Sequence, residues 1–508
     1  MNAELNVKPN PATDKPIKRQ PRVVVIGAGM SGILSAIKVR ETGCTDITVL
    51  EKADKVGGTW RENSYPGLSC DVPAHMYTYT FEGNPEYSKR FAMGPEIFDY
   101  FQRVSRKYGI EDMITFNTEI KESVYEDGCW TLTDQNGKTY KADIVLCATG
   151  VLHHPRWPDI EGLDTFEGPM WHTAQWDHSV DYAGKRVGII GTGSTSVQIV
   201  SAITDKVEKL SLFQRTAQWV YPLFDREYDD KIKENMRKDP TIGQKVHRRY
   251  TALFNYTFPK LVAGNKIAQA VVSWLCKHNL ESKVKDPVLR EKLRPDYQAG
   301  CKRLIIANGF YEAITRDNAE LVTEGIERIE PKGIRTSDGR LHELDILVIA
   351  TGFHAHNFMR PMEMTGIDGV TLKQAWSEGA FAHKTLTVPG FPNMFMLTGP
   401  NSPIGNFSLI NINEHQVNYI TQLIRMWMAN EVDEFEPKAE RTKQYNEELQ
   451  ASMTGTVWMA GCKSWYFDEF GKLAMWPWPM EKFWDEMAAP KTEEFHMRKL
   501  DVIEDQAA

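Results

Sequence analysis

Two glycine-rich stretches hold residue types whose spacing suits one chemistry, the binding of a pyrophosphate: Gly27-Ala28-Gly29-Met30-Ser31-Gly32 and Gly191-Thr192-Gly193-Ser194-Thr195-Ser196. Glycines at the first and third places permit a tight turn and close backbone approach, and a helix starting there points unpaired N–H groups at the phosphates. A charged residue follows each turn at a matched distance. The separation is 164 residues in both cases, 191 minus 27 and 215 minus 51, so Glu51 and Arg215 read as equivalent positions of opposite charge. A carboxylate accepts hydrogen bonds from the free ribose diol of FAD or NAD, whereas a guanidinium pairs with a 2′-phosphate. The first site therefore suits FAD and the second NADPH. Ser196 stands where the second stretch would carry its third glycine, which loosens the packing expected of helix on strand.

The elements that must position these turns are readable around them. The run Arg22 to Ile26 is β-branched and enters the first turn, and Leu34, Ile37 and Val39 recur beyond it at helical spacing. A further strand, Ile47 to Leu50, ends on Glu51. The same order recurs at Arg186 to Ile190, the second turn, and Leu210 to Phe213 ahead of Arg215. Runs ending in Ala148-Thr149-Gly150 and Ala350-Thr351-Gly352 follow Asp143 and Asp345, and each reads as the last strand of a doubly wound sheet. From Tyr221 to Tyr297 the composition turns to Lys, Arg, Glu and aromatics, with Ile267, Val271 and Leu275 at helical spacing. The expected fold is α/β: two Rossmann-like dinucleotide-binding domains with a helical insertion. Residues 1–20 read as a flexible arm, 21–151 and 385–508 as an FAD domain, 152–222 and 299–384 as an NADPH domain, and 223–298 as the insertion.

Bulk properties exclude several classes. A chain of 508 residues is too long for one core and expects two or three domains. Its net charge of −8, with no segregated basic face in view, argues against nucleic acid as a partner. No apolar run is long enough for a membrane span, and the polar, proline-bearing start lacks the apolar segment of a secretory signal, so a cytoplasmic protein is expected. The seven cysteines include no CxxC pair, which predicts reduced, mostly buried thiols. The pairs His153-His154 and His354/His356 lack a third ligand at metal-site spacing, so no metal is expected.

Two longer blocks narrow the field. Phe166 to Asp177 places Phe166, Gly168, His172, Trp176 and Asp177 in the pattern FxGxxxHxxxW(P/D), and Gly57 to Asp71 reads GGTWRENSYPGLSCD. Both resemble the fingerprints of type I Baeyer–Villiger monooxygenases, in the class B of flavoprotein monooxygenases. Lys302-Arg303-Leu304, Ala350 to Phe353, Gly390 to Asn393 and Ser464-Trp465-Tyr466 extend the resemblance from about Arg22 to about Tyr466. It departs in the short insertion and after Tyr466, where Trp476-Pro477-Trp478-Pro479 stands. The resemblance implies that NADPH reduces FAD, that O2 adds to give a C4a-peroxyflavin, and that a ketone becomes an ester or lactone. It implies catalytic roles for Arg303, a permanent cation for developing negative charge, and for Asp71 as the carboxylate holding it. It places Ser31, Gly58, Thr59, Trp60 and Tyr77 with the flavin, and Ser194, Thr195, Ser196, Thr216, Lys302 and Trp465 with NADPH beside Arg215. His172 and its motif fall in an apparent interdomain connection and expect a hinge or packing role. Rival readings are an oxygenase of sulfides or amines and a non-enzymatic flavin- and NADP-binding protein.

Overall fold

The computed structural model describes residues 16–405, 407–462 and 464–500. Two five-stranded parallel sheets organise the chain. In the first, the strands run in the order Met394–Met396, Ile144–Cys147, Val23–Ile26, Ile47–Leu50, Ile114–Thr115. In the second the order is Ala319–Val322, Lys209–Phe213, Arg186–Ile190, Ile346–Ile349, Met170–His172. The strands Val23–Ile26 and Ile346–Ile349 are buried along their whole length. That explains their unbroken apolar character, since helices and loops cover both faces of a parallel sheet. Both glycine turns lie where the central strand hands over to a helix, Met30–Arg40 in the first unit and Ser194–Ile203 in the second.

The two aspartates noted ahead of the ATG elements do matching work. Asp143 accepts the backbone N–H of Arg22 at 2.7 Å and pairs with its guanidinium at 2.6 Å. Asp345 accepts the N–H of Arg186 at 2.8 Å and pairs with that guanidinium at 2.8 Å. Each carboxylate thus ties the start of one strand to the start of its neighbour. Neither following strand is the last in its sheet, however: Met394–Met396 lies outside one and Met170–His172 outside the other. Each unit also carries antiparallel strands inserted ahead of that strand, Ile120–Glu126, Cys129–Asp134 and Thr139–Ala142 in the first and Ile326–Glu330, Gly333–Thr336 and Leu341–Glu343 in the second.

Several expectations need correction. Glu363–Thr365, expected in the second unit, pairs in parallel with Glu122–Val124 of the first, and Phe358, Met359 and Met362 share a core with Trp376 and Phe391. The chain therefore returns well before residue 385, because those apolar side chains complete the first unit's antiparallel layer. The two crossings run side by side: Pro155 bridges Phe353, Arg156 donates to the Gly352 carbonyl at 2.9 Å and His354 to the His154 carbonyl at 2.9 Å. Of the arm expected at 1–20, residues 1–15 lie outside the described residues, but Arg19 is held fast. Its guanidinium covers the Trp427 ring at 3.6 Å, donates to the Val432 carbonyl at 2.7 Å and pairs with Asp433. Nor are all seven thiols free, since Cys301 and Cys462 form a disulfide across a sequence separation of 161. Linear spacing carries no sign of that contact. Cys44, Cys70, Cys129, Cys147 and Cys276 are free, and all but Cys129 are buried.

The insertion is helical, as its spacing predicts: Asp230–Lys238, Thr241–Val262, Lys266–Lys283 and Pro287–Lys292. Asp229, Asn265 and Asp286 cap three of these helices by accepting first-turn N–H groups. Among the described residues no helix is long and apolar enough to cross a membrane.

Candidate active site

Both turns open into one cavity of about 2250 Å³. Of the site residues expected from the sequence, all but seven line it. Gly32 and Ser196 stand behind the turns, and Phe166, Gly168, His172, Trp176 and Asp177 stand away from it.

The first turn shows why glycine is required. Gly27 has φ +101°, and a Cβ there would sit 2.7 Å from the Ala148 carbonyl oxygen. A Cβ on Gly32 would overlap the carbonyl oxygen of Gly27. Gly29 and Gly193 open their helices in nearly the same conformation (φ −75° and −74°), and neither helix has a side-chain cap. First-turn N–H groups are thereby left for an anion, and the cradle fits a dinucleotide pyrophosphate.

Glu51 is buried. Its carboxylate accepts the N–H of Ala28 at 2.6 Å and of Ala53 at 3.0 Å, and pairs with Arg61 at 3.2 Å. Arg61 passes the charge on to Glu62 at 2.9 Å, and Glu62 to His153 at 2.9 Å. Burial alone would raise the Glu62 carboxyl, but His153, Arg61 and Lys52 together hold it below its ordinary value. His153 therefore braces the first turn through Glu62, a role its position in the sequence does not disclose.

The second turn is built one residue differently. Ile26 pairs with Leu50, and Glu51 follows; Ile190 pairs with Phe213, and Gln214 follows. In register, then, Glu51 corresponds to Gln214, and the matched separation of 164 overstates the equivalence of Arg215. Gln214 is buried and donates to the Lys292 carbonyl at 2.7 Å. Arg215, one step on, is exposed on the cavity wall with Thr216, whose carbonyl accepts from the Thr192 hydroxyl at 2.8 Å. Lys302 stands nearby, its ammonium over the Tyr297 ring at 4.5 Å. Burial lowers its pKa, Asp296 opposes, and the like charge of Arg215 lowers it further. Arg215 and Lys302, two cations facing one space, fit a phosphate dianion.

Arg303 and Asp71 meet across the junction of the two units. Arg303 leads into the strand Ile305–Ala307 beside the second sheet, and Asp71 ends the GGTW block of the first unit. Their Nη2–Oδ2 distance is 2.7 Å. Asp71 holds the Arg303 guanidinium above even its ordinary pKa, against the opposing effect of burial. Among the described residues Asp71 is its one hydrogen-bond acceptor, so the remaining N–H donors are left for a ligand. Gly405 (φ +83°) lies against it: a Cβ there would be 3.4 Å from Arg303 Nη1 and 4.0 Å from the Tyr466 hydroxyl. Burial pushes the Tyr466 phenol up to about 12, with Arg303 pulling the other way. Gly405 belongs to no motif, and only its contact marks it.

The GGTW block also clamps the units together. Tyr65 donates to Gln198 Oε1 at 2.9 Å, Gln198 donates to the Ser69 carbonyl at 3.0 Å, and a Cβ on Gly67 (φ +82°) would lie 2.5 Å from the Gln198 carbonyl oxygen. Trp60 donates to the Tyr77 hydroxyl at 3.2 Å with the rings edge to face. Trp465 lies on the cavity wall, its carbonyl accepting from His356 at 2.7 Å.

The Phe166 motif falls within the second sheet rather than in a free connection. Its strand Met170–His172 pairs with Leu347–Ile349, and a Cβ on Gly168 would lie 2.5 Å from the Asp345 carbonyl oxygen. His172 is fully buried, accepts the Ala174 N–H at 3.2 Å and packs edge to face on Phe353. Burial lowers its pKa, which keeps the imidazole neutral, and a backbone hydrogen bond to Gly352 opposes. Its contacts are therefore with the crossing strands. Trp176 packs on Trp171, and Asp177 caps the turn at Ser179.

Fold and site together define an enzyme with two dinucleotide units facing a shared cavity. Residues 20–367 match the flavin-binding monooxygenase-like family. A monooxygenase of uncharacterised activity from Mycobacterium bovis is 44% identical over 485 residues, spanning 96% of this chain and 98% of the relative. A Baeyer–Villiger monooxygenase of Pseudomonas aeruginosa is 36% identical, spanning 93% and 90%. The solved structure of OTEMO in complex with FAD and NADP superposes with a TM-score of 0.85 at 28% identity, covering 94% of this chain and all (100%) of that one. The chain belongs to the flavin-binding monooxygenase-like family and is a flavoprotein monooxygenase of the Baeyer–Villiger type.

Proposed function

We propose that the chain holds FAD in the first unit and NADPH in the second, and inserts one oxygen atom of O2 beside a ketone carbonyl to give an ester or lactone. The observation that carries the assignment is the Arg303–Asp71 pair, one residue from each unit, in the cavity that both turns share. When bound, FAD supplies oxygen activation and NADPH the reducing hydride. The protein's part is electrostatic and positional. Arg303 keeps its charge at any working pH, and Asp71 fixes the plane of the guanidinium by taking up Nη2, so that the free donors point where negative charge develops on the reacting oxygen. Tyr466 and the bare face of Gly405 bound that space. Arg215, Thr216 and Lys302 receive the 2′-phosphate, and Trp465 covers the nicotinamide side. His172 is a positioning residue that packs on Trp157 and Phe353 where the two crossings run side by side, not a proton carrier.

The test is Arg303→Ala on the FAD-loaded enzyme with a panel of ketones. NADPH should still bleach the flavin, while ester falls by roughly 10²–10³-fold, the usual cost of removing a preorganised donor. Arg303→Lys should not rescue it, because an ammonium cannot hold Asp71 and a substrate oxygen in one fixed fork. Normal ester yield from Arg303→Ala would refute the role, and a wild-type enzyme giving sulfoxides but no esters would replace the ketone reading.

A further inference from the structure

The long hairpin of the insertion, Thr241–Val262 and Lys266–Lys283, turns an unusual face outward. Leu253 is 52% exposed, Tyr256 68%, Ile267 77%, Val271 51% and Trp274 61%. The inward faces are already satisfied: Val262, Cys276 and Leu280 belong to three buried clusters. The outward residues keep helical register. Lys245, Arg249, Leu253, Tyr256 and Lys260 follow one another at steps of four, four, three and four on the first helix, and Ile267, Val271 and Trp274 at steps of four and three on the second.

Charge separates this face from the rest of the molecule, which corrects the expectation that no basic face is segregated. Residues 241–283 carry seven Lys or Arg against one acid, Glu281, while the whole chain has a net charge of −8. Lys245, Arg248, Arg249, Lys260, Lys266 and Lys277 are exposed, and among the described residues none is in salt-bridge contact with a carboxylate. Lys260 lies 3.3 Å over the Tyr256 ring, a cation carried on an aromatic at the edge of the apolar stripe. The cavity that holds Arg303 and Asp71 is also lined by Leu253, Tyr256, Lys260, Ile267 and Val271, so the stripe forms its mouth.

From this arrangement we infer that the hairpin docks on an anionic lipid surface and opens the cavity toward the bilayer, so that a lipid-dissolved ketone enters without crossing water. An apolar stripe with lysines and arginines at its borders is the pattern of a helix lying in the membrane interface, with its ring and aliphatic residues in the headgroup boundary and its cations on anionic headgroups. A second copy of the chain is the poorer occupant, because a self-complementary contact would bring six unpaired cations against six. The substrate part of the inference rests on the oxygenase reading above; the docking part does not.

Two variants outside the cavity lining test it in the full-length holoenzyme: Trp274→Ser, and the triple charge reversal Lys245→Glu, Arg249→Glu and Lys277→Glu. Flavin content and melting temperature verify that both are folded. Co-sedimentation with phosphatidylcholine vesicles should be weak, and with vesicles containing phosphatidylglycerol strong but lost in salt on the order of 1 M. The triple variant should bind at least roughly a hundredfold more weakly, since three cations become three anions, and Trp274→Ser should also lose binding. Vesicle binding that ignores anionic lipid, wild-type binding by the triple variant, or a concentration-dependent dimer abolished by Trp274→Ser would overturn docking. With a long-chain ketone dissolved in the vesicles the triple variant should lose turnover, yet keep wild-type turnover of cyclohexanone in buffer. Vesicle binding without oxygenation of either ketone would sink the substrate part and leave docking intact.

Discussion

The two glycine turns share a backbone and differ by one residue of register. Behind the first, Glu51 reaches back to the turn itself and bonds Ala28 N–H; behind the second, the corresponding Gln214 turns away to Lys292, and the charge moves one step on to Arg215. The first turn is closed by its own carboxylate, whereas the second leaves a cation free on the cavity wall. Helix packing differs in the same sense. Gly32 admits no Cβ against the Gly27 carbonyl, while Ser196 in the matching place is fully buried with a hydroxyl that finds no partner among the described residues. One turn is built tight and the other with slack, so a single nucleotide-binding fold can serve two cofactors.

Substitutions at matched places sharpen or break this contrast. The largest effect is expected from Gly32→Ala, whose methyl overlaps backbone rather than a mobile side chain. It should cost more than about 3 kcal/mol and yield protein without flavin absorbance, and a yellow, normally melting variant would show that the tight turn has give. Next comes Glu51→Gln. Weakening its charged contacts to Ala28 and Arg61 should cost about 2 kcal/mol, read as faster flavin release on dilution, with NADPH affinity unchanged. Arg215→Ala should raise KM for NADPH by roughly tenfold and leave NADH untouched. Gln214→Ala, by contrast, should lower the melting temperature without altering the preference, and equal losses for both coenzymes in Arg215→Ala would mean that the 2′-phosphate lies elsewhere. The smallest effect is Ser196→Ala, which removes an unpaired buried hydroxyl and should stabilise by up to about 1 kcal/mol. A clear destabilisation there would mean that the slack is only apparent.

Much of this was legible in the residues because it is local. Strand, turn and helix are contiguous at Val23 to Arg40 and at Arg186 to Ile203, and the insertion announces itself by spacing. What escaped is set by contacts across the chain. The register step at Gln214 shows only once Ile190 is paired with Phe213. The early return at Glu363–Thr365 is a three-residue strand, too short for any period to emerge. Arg303 and Asp71 are 232 residues apart, and they were brought together by resemblance to a family, not by spacing. Gly405 has no motif at all, only a guanidinium pressed against it. The helical spacing of Ile267 and Val271 told of a helix correctly but not of which way its apolar face would look.

The Cys301–Cys462 bond joins the segment that leads to Arg303 with the segment that leads to Trp465, and so makes a closed loop of the intervening chain. That loop supplies the strands Ala319–Val322 and Ile346–Ile349 to one sheet and Met394–Met396 to the other. The two nucleotide units are therefore linked as by a ring passed through both. Unfolded but unreduced, the protein cannot extend to its full contour length, and it should migrate faster in a denaturing gel than the same chain treated with a thiol.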